Sequence, residues 1–352
     1  MNEDWSEKNK EIQKLLSKES TFREAIDKLI EFRNELFQQI TWIVEGYPDK
    51  AFYQMPFAGA KGYHSKSLAY SIWHIFRIED IVAHEMIAED EQILYREKYL
   101  QKTASPIITT GNELEGNEIA EFSEKLNVQE LYLYAKAVKE STDQLLSHLR
   151  YKDLKRKFNE DTKQKLIDSK CVSEDENAFW LIDYWCGKDV KGLIRMPFSR
   201  HWIMHIEAMQ RIKNRLCKIA RKCADPASVC GLSCNHCFLA EWCGGCRTEY
   251  NACSFATCSE GRICPNVKCC KEKNIDGCFE CSELETCERG FFTPSNDGAG
   301  AAKAQSLYIR KYGKKEFLNV QTRLHEKYDF QKVQEILGQD YKKALQLLEE
   351  KR

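Results

Sequence analysis

The chain has 352 residues, 53 of them basic and 54 acidic, for a formal net charge of −1, with 43% apolar residues and 17 cysteines. That length points to two domains or one large one, and the charge balance excludes a global basic footprint for nucleic acid. A mean hydropathy of −0.56, with no run approaching the ~18 apolar residues of a membrane span, predicts a soluble protein without a membrane partner. The charged start MNEDWSEKNKEIQKLL has no apolar segment of the secretory kind, so the expected location is the cytoplasm.

Residues 1–222 read as helix almost throughout. Phe22, Ile26, Leu29, Ile30, Phe32, Leu36, Phe37 and Ile40 recur at helical spacing until Gly46 and Pro48 end the pattern. A second helix is expected from Ser67 to Ala88, with Leu68, Ile72, Ile75, Val82 and Met86 on one stripe that also carries Glu79. Residues 101–118 hold a proline and two glycines and read as a loop. A third helix follows over Val128–Leu149, then a mixed charged and aromatic stretch, 152–196. Pro197 suits the first turn of a fourth helix that runs to about Lys222, because a proline there loses no hydrogen bond. Four long amphipathic helices predict a mainly α protein built on a helical bundle.

The fourth helix, PFSRHWIMHIEAMQRIKNRL, places His201 and His205 one turn apart. They share a stripe with Phe198, Ala208, Met209, Ile212 and Leu216, so both rings should point inward. His74 lies on a broad apolar face of the second helix. Three imidazoles with an open fourth position suit a catalytic metal, and bundles build such sites from inward side chains on facing helices. The bland reading is three core histidines bonded to carbonyls or carboxylates. Glu79 reads either as a group that orients His74 or accepts a proton, or as the partner of a buried arginine such as Arg77 or Arg195. The other histidines, His64, His84, His148, His236 and His325, lack a paired spacing and are expected at the surface or in loops, with His64 close enough to the second helix to support the site.

Trp73-His74 in an apolar helix, Glu79 five residues on, and the late pair His201 and His205 resemble the DinB superfamily. Its members are four-helix bundles that bind a divalent metal through one histidine of the second helix and two of the last. The resemblance covers about residues 20–220. It implies that His74, His201 and His205 hold zinc, nickel or iron, with Glu79 in a supporting catalytic role. It further implies a transfer reaction on a small molecule, of the kind that uses low-molecular-weight thiols. The long segment 152–196 departs from the pattern and would alter the pocket lining.

Composition changes at Ala224-Asp225-Pro226. Thirteen of the cysteines fall between Cys230 and Cys287, while Cys171, Cys186, Cys217 and Cys223 are scattered. In a reducing compartment such density reads as metal binding rather than disulfides. Three C-x-x-C steps, Cys234/Cys237, Cys243/Cys246 and Cys278/Cys281, let paired thiolates converge on one metal, and two such steps complete a tetrahedral site. Two four-thiolate sites with extra cysteines are expected, holding structural zinc or, as the alternative, an iron–sulfur cluster. The Cys230, Cys234, Cys237 spacing also fits a cluster that activates S-adenosylmethionine, but no barrel of strands accompanies it. Residues 223–290 carry six basic against ten acidic side chains, which disfavours phosphate contacts and hence nucleic acid.

This block resembles a cysteine-rich family of uncharacterised function. The matching pieces are Cys230-Gly231-Leu232-x-Cys234-x-x-Cys237, Cys243-Gly244-Gly245-Cys246-Arg247, Cys264-Pro265 with Cys269, and Cys278-x-x-Cys281 with Cys287. The tail AQSLYIRKYGKKEFL, 304–318, is also similar. The resemblance makes these ten cysteines the metal ligands and leaves Cys253, Cys258 and Cys270 outside as free thiols.

The expected organisation is therefore a DinB-like bundle over 1–222, a small cysteine-rich metal-binding domain over 223–292, and a linker with a helical tail over 293–352 that packs on it. The expected function is a metal-dependent transferase or hydrolase acting on a small, thiol-linked substrate, with a homodimer left open. The competing readings are a non-catalytic metal- or redox-responsive binding protein and an iron–sulfur electron-transfer module.

Overall fold

The computed structural model describes residues 2–222, 224–237, 243–248, 253 and 264–352. Among these the protein is mainly α, with isolated β-bridges and no strand. No described helix is long and apolar enough to cross a membrane. The chain divides into two compact units, Met1–Lys213 and Asn214–Arg352. The division falls inside the helix His201–Lys222 rather than at its end, and the tail 293–352 lies in the same unit as residues 224–292.

The first unit contains α1 (Glu3–Leu15), α2 (Phe22–Gly46), α3 (Leu68–Asp80), α4 (Asn117–Lys125), α5 (Val128–His148), α6 (Glu160–Asp168), α7 (Glu176–Cys186) and the start of α8 (His201–Lys222). Helix α2 buries Ile26, Leu29, Phe32, Leu36, Phe37, Ile40 and Ile43, the stripe that periodicity dictates. Helix α3 starts where the Ser67 hydroxyl accepts from the Tyr70 amide at 3.0 Å, satisfying one of the donors a helix start leaves open. Every residue of α3 is buried, which makes it the central helix. Its expected continuation to Ala88 is wound as a π-helix over Ile81–Ala88 and ends at Glu89 in the left-handed region. Asn127 caps α5 through the amides of Gln129 and Glu130. The mixed stretch 152–196 resolves into α6, α7 and a short helix, Val190–Arg195. Pro197 lies in a π-helical turn, Met196–Arg200, that leads directly into α8.

One buried polar cluster ties the four long helices together. Arg33 of α2 donates to both carboxylate oxygens of Glu79 of α3, at 2.7 and 3.0 Å, and to Asp143 of α5 at 2.6 Å. Trp202 of α8 donates its indole N–H to the same Glu79 at 2.8 Å. Burial disfavours the guanidinium charge, but the carboxylates of Glu79 and Asp143 outweigh it and hold Arg33 above its ordinary range. A buried charge is tolerated when it is paired and hydrogen-bonded on all sides, as here.

The second unit is built on α9 (Pro265–Glu272), α10 (Ala299–His325), α11 (Phe330–Leu337) and α12 (Tyr341–Glu350). Tyr308, Phe317, Val320 and Leu324 of α10 form one core with Val333 and Leu337 of α11 and Ala344 and Leu348 of α12. A second core joins Ala302 and Leu307 of α10 to Val229, Cys246, Val267, Leu284 and Phe292. Ser306 donates to the Cys230 carbonyl at 2.9 Å and Arg310 to the Phe279 carbonyl at 2.8 Å. Lys314 pairs with Asp225 and Asp276. The end of the expected linker is helical, since α10 begins at Ala299.

Candidate metal centres

His74 of α3 and His201 and His205 of α8 meet in the first unit. Each offers a ring nitrogen within 4.8 Å of the others, and the ring centroids lie 5.0, 4.8 and 4.6 Å apart. All three are buried, with exposures of 6%, 6% and 2%. Both ring nitrogens of His205 and Nδ1 of His201 are buried without a hydrogen-bond partner. An unmet buried polar atom costs about 1–3 kcal/mol, so the cluster fits a cation that would take up those lone pairs. Burial first, and the nearby Lys66 cation second, push His74 down to about 4 despite its bond to Thr110. Burial likewise drives His201 and His205 well below the usual imidazole range. Three neutral imidazoles are the protonation state a metal requires.

The loop between Ser105 and Gly116 positions His74. Four side chains of α3 at positions i, i+3, i+4 and i+7 bind successive carbonyls of that loop. Tyr70 donates to Gly111 at 3.0 Å, Trp73 to Thr109 at 2.9 Å, and Arg77 to Ile108 at 2.7 Å. His74 Nδ1 stands 2.9 Å from the Thr110 carbonyl. That bond leaves Nε2 to face the other histidines and fixes the ring, the usual support for a metal-bound imidazole. Gly111 adopts φ +79°, and a Cβ there would stand 3.2 Å from the Tyr70 ring. Tyr70 stacks on His74 at 5.5 Å, Tyr63 meets the edge of His205 at 4.8 Å, and Lys66 Nζ lies 4.9 Å from the Tyr70 ring centre.

Glu79 does not orient His74. Its carboxylate is fully buried and spent on Arg33 and Trp202. The partner is Arg33, from another helix, rather than Arg77 or Arg195. His84 is also not at the surface: it is 3% exposed and lies 2.6 Å from Asp90 and 3.1 Å from Ser141. His64 packs against Phe57, and His236 stacks on His325 at 4.3 Å. Thr110, Tyr63, Lys66 and Tyr70 were missed by sequence reasoning, and only the Ser67 cap placing Lys66 and Tyr70 beside the helix start could have pointed to the last two.

The fifteen described cysteines form no disulfide; Cys223 and Cys258 lie outside the described residues. The cysteine segment separates into two groups. Cys230, Cys234, Cys237, Cys243, Cys246 and Cys264, joined by Cys253, line a cavity of about 1170 Å³. Cys269, Cys278, Cys281 and Cys287, joined by Cys270, line one of about 20 Å³. Cys253 and Cys270, expected outside the pattern, thus line the same two cavities as the ten cysteines expected as ligands. Cys253 is within hydrogen-bonding reach of Cys243, and Cys270 Sγ lies 3.7 Å from Cys278 Sγ. Donors point at several sulfurs: the Val229 amide at Cys246, the Gly245 amide at Cys243 and the Lys273 ammonium at Cys281. No three described sulfurs come as close together as the histidine nitrogens do.

Comparison of the chain with family models, curated proteins and solved structures gave no match.

Proposed function

We propose that residues 20–220 form a DinB-like bundle whose His74, His201 and His205 hold a divalent metal, zinc, nickel or iron, for a transfer or hydrolysis reaction on a small thiol-linked molecule. The observation that carries this reading is the convergence of three buried, neutral imidazoles with orphaned ring nitrogens. A metal bound there supplies a Lewis acid that lowers the pKa of a water or thiol in the open position, giving a nucleophile near neutral pH. Thr110 keeps the His74 ring oriented through Nδ1. Lys66, half-buried beside the triad, places a positive charge that favours an anionic group of the substrate. Burial excludes water from the imidazoles and strengthens each of these interactions. Glu79 takes no part in the chemistry and holds the helices that carry the ligands.

In the second unit the small cysteine group suits one structural zinc. Thiolates on a single zinc at 2.3 Å stand about 3.8 Å apart, and the Cys270–Cys278 separation is 3.7 Å.

Elemental analysis of full-length protein tests the bundle site. The double variant His201→Ala, His205→Ala should lose about one metal equivalent and keep the cysteine-bound metal; unchanged metal content would overturn the reading. Cobalt-substituted protein should gain a thiolate-to-cobalt absorption band on addition of 2-mercaptoethanol, and this band should be missing in the double variant. A spectrum indifferent to the thiol would remove the thiol substrate class.

A further inference from the structure

The two cysteine groups differ in the room they enclose, and room decides what each can hold. A site for one small occupant needs about 10–15 Å³ by the measure used for buried waters. The cavity beside Cys278 and Cys281, at about 20 Å³, therefore takes a single ion. The cavity lined by seven cysteines, at about 1170 Å³, is larger by more than an order of magnitude.

A single structural zinc draws four thiolates into a closed shell and leaves no space inside it. An inorganic core of several irons and sulfides instead stands between its thiolates, which keeps them apart around a larger volume. Seven sulfurs exceed the need of one ion, and their arrangement around an open cavity matches the second geometry. Val229, Leu232, Val267, Phe291 and Phe330 contribute apolar surface to the lining, beside the carboxylates of Asp297, Asp329 and Glu335; of these groups the thiolates are the ligands that iron–sulfur clusters take. The backbone amides of Val229 and Gly245 point at Cys246 and Cys243 at 3.3 and 3.4 Å, and the Ser228 hydroxyl lies 3.3 Å from Cys230. Such donors to sulfur stabilise the charge that a bound cluster leaves on its thiolates.

We propose that the large cavity binds a polynuclear iron–sulfur cluster through thiolates drawn from Cys230, Cys234, Cys237, Cys243, Cys246, Cys253 and Cys264, distinct from the single-ion site around Cys278. The second unit then carries two unlike metal sites. The inference is independent of the histidine centre, since inorganic sulfide reports on the cluster alone.

Full-length protein purified without oxygen from iron-replete cells, and the same protein reconstituted with ferrous iron and sulfide, should contain iron and acid-labile sulfide in near-equal amounts. It should also show a broad visible absorption band. The double variant Cys234→Ser, Cys246→Ser should lose the sulfide and the band. Cys186→Ser, at a cysteine that lines neither cavity, should keep both, and the iron and sulfide content of the unsubstituted protein carries the test if the double variant fails to fold. Zinc without sulfide after both preparations would overturn the proposal, as would a folded double variant that keeps the sulfide and the band.

Discussion

Glu79 lies five residues after His74 on α3, and the two side chains meet different surroundings. His74 faces two other imidazoles and a loop carbonyl; Glu79 faces a guanidinium and an indole N–H. Removing one partner of a buried pair costs about 3–5 kcal/mol, because the remaining charge stays desolvated. Glu79→Ala should therefore lower stability by about that amount in urea denaturation, while the folded fraction keeps its full histidine-bound metal. Metal loss from a stably folded Glu79→Ala protein would return Glu79 to the metal site. The histidines themselves should make stability depend on pH. Their folded pKa values are depressed by burial, His74 to about 4 and the other two well below the usual imidazole range, against about 6.5 in the unfolded chain. Above pH 6.5 all three are neutral in both states and contribute no slope. Below it the unfolded chain binds more protons, so stability of the metal-free protein should fall with pH, by up to about 1.4 kcal/mol per unit for each imidazole. Urea midpoints at pH 7.5 and 5.5 check this; a midpoint that rises on acidification would contradict the buried, neutral assignment.

At the scale of elements, each unit depends on a helix that grips irregular chain. Helix α3 holds the loop 105–116 by four side chains on one face, so that the loop fixes the orientation of the His74 ring. Helix α10 does the same for the cysteine segment through Ser306, Arg310 and Lys314. The closest approach there is at Gly231, with φ +90°, where a Cβ would stand 2.2 Å from Ser306 Oγ and 2.8 Å from its backbone nitrogen. Neither the backbone conformation nor the space admits a side chain. Gly231→Ala should destabilise the second unit by about 1–3 kcal/mol, seen as a lower unfolding midpoint with unchanged metal at the histidines. A midpoint equal to wild type would show that α10 does not clamp the cysteine segment at this point.

Across the whole molecule, the sequence by itself determined the helical character and the inward stripes. Apolar periodicity selects the buried face of a helix, so the i, i+4 spacing of His201 and His205 already turned both rings inward. The tertiary structure decided the pairings. Arg33 and Glu79 are 46 residues apart, and spacing within one helix says nothing about which residue of another helix will face it. Of the two arginines expected as partners, Arg77 is nearer in sequence than Arg33 and Arg195 farther, and neither is the partner. Cys264 and Cys269 are close in sequence yet line different cavities, because Cys264 stands just before the first residue of α9 and Cys269 lies inside the helix. Local periodicity fixes which way a side chain points. Which groups then share a cavity, and how large that cavity is, follows only from packing elements that are distant along the chain.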